Sequence, residues 1–134
     1  MKDIVIKKLK PQFTTVLTTL DFYEDDYVVN GVIAAPKGTL KLYQRVVAIG
    51  DNVRNVKEGD LVLLNFANYK QRKFRDDSIK GDIEKMEDVE IYDFPKLIID
   101  GNLYGKFQDR DIEGVIEDYE EIEVQTSISS NKLL

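Results

Sequence analysis

The chain has 134 residues, 43% of them apolar, with 25 acidic against 19 basic side chains and a formal net charge of −6. That length suits a single domain, 1–134, with a core that needs no covalent staples. Cysteine and histidine are both absent, which excludes disulfides, thiolate metal sites and every nucleophile arrangement that relies on an imidazole.

In chain order, Ile4-Val5-Ile6 predicts a short first strand flanked by lysines. Residues Phe13 to Leu20 are rich in β-branched side chains and predict a second strand. The charged stretch Asp21 to Tyr27 predicts a turn or loop. Val28 to Gly38 contains two glycines and a proline around a small apolar group, which fits either a bent strand or a mobile loop with an apolar tip. Val46-Val47-Ala48-Ile49-Gly50 and Val56 to Asn65 then read as strand, turn, strand, with Asp51-Asn52 and Gly59-Asp60 supplying the turn chemistry. Their near-continuous apolar runs predict burial on both faces of a small barrel.

Beyond Tyr69 the composition changes. Residues 70–90 are dense in charge, with Ile79, Ile83 and Met86 at spacings that suit a short helix. Segment 70–102 is therefore expected to be an insertion of roughly 30 residues that is too small to hold a core of its own. Val89 to Phe94 alternates like a half-exposed strand, and Leu97 to Tyr104 around Asp100-Gly101 reads as a hairpin. Gln108 to Asp111 is a turn before a strand at Ile112 to Glu117, and 126–134 is expected to be a flexible tail. Eight to ten short strands with regular turns predict an all-β, closed or half-closed barrel.

No motif for catalysis, phosphate binding or zinc is present. The carboxylate runs at Glu117 to Glu123 and Glu24-Asp25-Asp26 lack the glycine bend and ligand spacing of a hard-cation loop, and read as solvated surface. Lys70-Gln71-Arg72-Lys73-Phe74-Arg75 has cations and a stacking ring, but Asp76 and Asp77 follow at once, so a solvated loop is expected and no nucleic-acid partner. No apolar run reaches the length of a membrane span, and residues 1–8 lack a signal-peptide stretch, so a cytoplasmic protein is expected. Catalytic residues, metal ligands and cofactors are all expected to be none. Gly31, Val32, Ile33 and Ala34 are the candidate partner-binding residues. A loop can present such side chains to a groove, and burying two of them contributes about 3–6 kcal/mol before ordering entropy is subtracted.

Three segments together resemble the GroES-like (chaperonin-10) family: Val46 to Gly50, Val56 to Val62, and Asp111 to Glu117. Gly31-Val32-Ile33-Ala34 stands where that family carries the apolar tip of its mobile loop. The resemblance implies a small β-barrel, assembly into a homo-oligomeric ring through terminal strands, and a non-enzymatic co-chaperonin role as lid on a chaperonin ring. Three departures stand out. The link from Asp51 to Asn55 is too short for the family's roof hairpin, segment 70–102 is extra, and the tip ends in the small Ala34. The chain is also similar to GroES-like proteins of tailed phages of gut Bacteroidetes, the crAss-like group. That implies an alternative: an auxiliary or decoration protein on the virion surface, bound to a phage major capsid protein.

Overall fold

A computed structural model of the chain describes residues 1–75, 87–92 and 94–126. Its strands are β1 (Thr15–Thr19), β2 (Tyr27–Val29), β3 (Val32–Ala35), β4 (Tyr43–Ile49), β5 (Leu61–Leu64), β6 (Lys70–Arg75), β7 (Glu87–Tyr92), β8 (Lys96–Ile99), β9 (Asn102–Gln108) and β10 (Ile112–Val115). Short 3-10 turns precede β6 and β10, and no α-helix occurs among the described residues. The all-β expectation holds. The short helix expected around Ile79, Ile83 and Met86 lies outside the described residues, as does the tail beyond residue 126.

Six strands form one antiparallel sheet in the order β10-β5-β4-β1-β9-β8. The sheet does not close: among the described residues no ladder joins β10 to β8. Both edge strands have only four residues, and a register shift between Ile112 and Gly114 interrupts the β10 ladder. Such an irregularity bends a strand and disrupts its pairing. Of the closed or half-closed barrel expected, the closed form is corrected: the described strands make an open sheet around one core. That core contains Val16, Val46, Val62, Leu64, Phe66, Phe94 and Phe107, and Ile112 and Val115 of β10 pack against it.

Burial on both faces is also corrected. In β4, Gln44 and Val46 are buried while Tyr43, Arg45 and Val47 are exposed. This is the alternation of an antiparallel sheet with one solvated face. The strand enclosed most fully is the central β1, where Val16, Leu17 and Thr18 are all buried in succession. Ile4 to Ile6 form no strand. Ile4 and Val5 are exposed, and the backbone of this stretch is tied to the sheet by the Asp100 N–H donating to the Ile6 carbonyl at 2.7 Å.

The segment 70–102 is not a unit apart. β8 and the turn at Asp100-Gly101 belong to the main sheet, and the separate two-stranded ladder is β6 with β7. Lys70 to Arg75, expected as a solvated loop, form β6. The register sets Arg72 opposite Glu90 and Arg75 opposite Glu87, opposite charges at facing positions. This hairpin leaves and rejoins the body beside an aromatic cluster. Phe66 and Tyr69 precede it and Phe94 follows it. Phe107 of β9 lies 5.7 Å from Phe66, 5.7 Å from Tyr69 and 5.4 Å from Phe94, measured between ring centroids.

Candidate functional site

Residues 21–41 leave the sheet between β1 and β4 as an arm. Its stem is zipped by backbone bonds: Tyr23 N–H to the Thr39 carbonyl at 2.9 Å, Gly38 N–H to the Tyr23 carbonyl at 2.8 Å, and Lys41 N–H to the Asp21 carbonyl at 3.0 Å. Further out, the Asp26 carboxylate accepts from the Lys37 N–H at 2.7 Å. Beyond that bend β2 and β3 pair antiparallel. Asn30 and Gly31 form the turn, with φ of 52° and 78°. Two successive positive φ values make a type I′ turn, the connection that matches strand twist and favours Asn-Gly. The segment expected as either a bent strand or a mobile loop therefore forms a hairpin, and a register shift between Tyr27 and Val28 bends its ladder.

The hairpin turns apolar side chains outward. Val32 is 66% exposed, Ile33 42% and Val29 43%. Gly31 serves the turn rather than contact, and Ala34 is a further exposed β3 position. Val29 and Val32 thus share one face of the tip while Ile33, one residue on, projects to the other face with Val28, and Val29 is the one that the sequence pattern did not single out. The register explains its place: Val29 faces Val32 directly across the turn.

The root of the arm is polar. Gln44 of β4 is fully buried. Its Oε1 accepts from the Thr19 hydroxyl at 3.0 Å and the Asp21 N–H at 2.8 Å. Its Nε2 donates to the Asp21 carbonyl at 3.0 Å and the Lys41 carbonyl at 2.9 Å. One amide thus satisfies its full bonding capacity and ties both ends of the arm to the sheet.

Beside the stem lies an open groove of about 840 Å³, lined among others by Phe22, Tyr23, Tyr27, Tyr43, Tyr119 and Ile122. The Lys41 ammonium sits 5.3 Å from the Tyr23 ring centroid and 5.7 Å from that of Tyr43, within cation–π range. Burial, with the neighbouring Tyr43 and Tyr27, pushes the Tyr23 phenol above its ordinary pKa. The Arg45 guanidinium donates to the Gly59 carbonyl at 2.9 Å and reaches the Tyr119 hydroxyl at 3.4 Å. The two cations in this groove are thus already engaged by rings, a carbonyl and a hydroxyl.

Elsewhere the chemistry is sparse. No group of three or more acidic side chains among the described residues is arranged to hold a metal ion. The acidic runs Glu24-Asp25-Asp26 and Glu117 to Glu123 lie on exposed or half-exposed stretches. The buried carboxylate Asp111 accepts from the Tyr69 hydroxyl at 2.6 Å and the Gln108 N–H at 2.9 Å, bracing the turn before β10. No helix among the described residues is long and apolar enough to cross a membrane. What the arrangement offers is a stiff-rooted arm with an apolar end. No family model matches the chain, and no curated protein matches it significantly.

Proposed function

We propose that the chain is a non-enzymatic, GroES-like, oligomeric protein-binding module that docks through the arm tip onto a chaperonin ring. The observation that carries this reading is the outward exposure of Val29, Val32 and Ile33 on a tight turn, at the position where the family resemblance puts its contact tripeptide. Side chains left in water at that cost are suited to burial in a partner's groove. One tip buries too little to bind tightly, so several copies acting together supply the affinity. The extended basic stretch with Lys2, Lys7, Lys8 and Lys10 and the acidic stretch Glu117 to Glu123 favour side-by-side association of copies.

Native mass spectrometry with a nucleotide-loaded chaperonin tests this. A symmetric ring of copies should bind, and the double variant Val32→Ser with Ile33→Ser should keep its fold and lose binding at least tenfold. A wild-type chain that stays monomeric and ignores chaperonin overturns the reading.

The β6–β7 hairpin favours a second use of the same fold, as an auxiliary protein on a phage capsid, because it adds a two-stranded element outside the segments that resemble the family. Finding the protein in purified virions at a stoichiometry that matches the capsid lattice would support that use. Its absence from particles would exclude it.

A further inference from the structure

The last ladder bond of β10 runs from the Ile116 N–H to the Leu61 carbonyl at 2.7 Å. Residues 117–124 then continue with no strand pairing, and every one of them is exposed. At residue 125 the chain meets the arm: the Val28 N–H donates to the Gln125 carbonyl at 2.8 Å, as an isolated antiparallel bridge on the edge of β2 that β3 does not use. Between these two moorings the segment borders the tyrosine groove, with Tyr119 against Arg45.

Two further observations concern this crossing. Val28 is 3% exposed, yet it lies outside the main core cluster, while its neighbour Val29 on the same strand is open to water. The residue whose N–H meets Gln125 is thus sheltered outside that cluster. The charges also oppose closure. Asp21, Glu24 and Asp25 on the arm share the lining of the groove with Glu120 and Glu121 on the crossing segment, five carboxylates against the two cations Lys41 and Arg45. Like charges facing each other across a wet groove repel, and the repulsion weakens with added salt.

We propose that residues 117–126 form a displaceable strap, which holds the arm against the body by occupying the β2 edge and whose release frees the arm and its apolar tip to move. An edge strand with an unpaired N–H is a ready template for strand addition. In the closed state the chain's own Gln125 fills that place. Because the tip is the docking element proposed above, the control of docking rests on that reading; the strap itself does not.

The native chain has no cysteine, so a single engineered pair reports closure cleanly. Val28→Cys with Gln125→Cys places the two sulfurs on facing antiparallel positions, whose Cα spacing of about 5 Å suits a disulfide. Mild oxidation should cross-link them within one chain. No cross-link in a folded protein, or links only between chains, overturns the strap. Since Val28→Cys alters a buried site, a second measurement uses the native side chains. In a chain that ends after Ile116, hydrogen exchange at the Val28 amide should rise at least about tenfold, while the β1 and β4 amides keep their protection. Unchanged exchange at Val28 overturns the proposal. Glu120→Lys with Glu121→Lys, or raised salt, should slow exchange there. With a chaperonin present, the oxidised pair should bind at least tenfold more weakly than the reduced pair. Equal binding removes the control role, whereas binding by neither form counts against docking and leaves the strap supported by its exchange data.

Discussion

Two hairpins leave the same sheet, and their roots are built from opposite materials. The β6–β7 hairpin rises beside Phe66, Tyr69, Phe94 and Phe107, rings in mutual contact at centroid distances of 5.4 to 6.5 Å. The arm rises from the single amide of Gln44, held by four directional bonds. An aromatic cluster supplies stability in bulk and tolerates small rotations. A saturated amide supplies less free energy but fixes a direction, because its bonds weaken steeply when misaligned. The root that fixes a direction is polar, and the root that supplies packing is apolar.

Substitutions can break this contrast, and the largest effect belongs at the aromatic root. Phe107→Ala should cost about 3–5 kcal/mol, read from urea unfolding, since it removes a fully buried ring that contacts the other three. A loss below 1 kcal/mol would mean that the cluster does not anchor the fold. Gln44→Ala should cost about 2–3 kcal/mol by leaving the Asp21 N–H and the Lys41 carbonyl without their partner. Its distinguishing mark is location: hydrogen exchange should rise at Asp21, Tyr23 and Lys41 more than in β9. A uniform rise would make Gln44 an ordinary core residue.

Tyr69 sharpens the comparison through pH. Burial first, then the hydrogen bond to Asp111, raises its phenol to about 12. A group whose folded pKa lies above its unfolded value of about 10 stabilises fully below that value. The contribution then falls as pH climbs from about 10 towards 12, by about 1–2 kcal/mol for this half-buried ring. Tyr69→Phe should flatten that part of the stability profile, and an unchanged slope would show that another group titrates there. The smallest effect on folding belongs to the tip. Val32→Ser with Ile33→Ser should shift stability by less than about 1 kcal/mol, because both side chains are exposed at the tip, Ile33 only in part. A larger loss would mean that the tip serves the fold rather than a partner.

The arm was only half legible in the sequence, and the reasons are local. Asp100-Gly101 and Asn30-Gly31 obey the same rule, with nearly the same pair of φ values. The first stands between Leu97-Ile98-Ile99 and Leu103-Tyr104, whose strand pattern is strong. The second is followed by Ala34, Ala35 and Pro36, which dilute the pattern, so its hairpin is easily missed. Gln44 gives no signal at all, because a lone glutamine beside Tyr43 and Arg45 looks like surface. Only the fold reveals that its position alternates inward with Val46. Ile4 to Ile6 differ for the converse reason: the strand pattern is there, but the stretch meets the sheet through the single Asp100–Ile6 bond and forms no ladder. The both-face burial inferred for residues 46–65 overlooked that Val47 can remain on a solvated face, 38% exposed, within an antiparallel sheet. The charge-rich β6 and β7 are strands despite their composition because they face each other, a long-range fact that local composition does not carry.

The Gln44 amide has a mechanical consequence. Since it grips Asp21 and Lys41 together, the stem cannot pivot where it meets the sheet without rupturing several bonds at once. Any swing must be taken up further out, near the Asp26–Lys37 bend, so the lever that moves is about a dozen residues long and the fulcrum stays put. Under the docking role proposed above, a partner would therefore meet the apolar end at a nearly constant reach from the sheet, and copies arranged around an axis would present their ends at matched radius without adjustment.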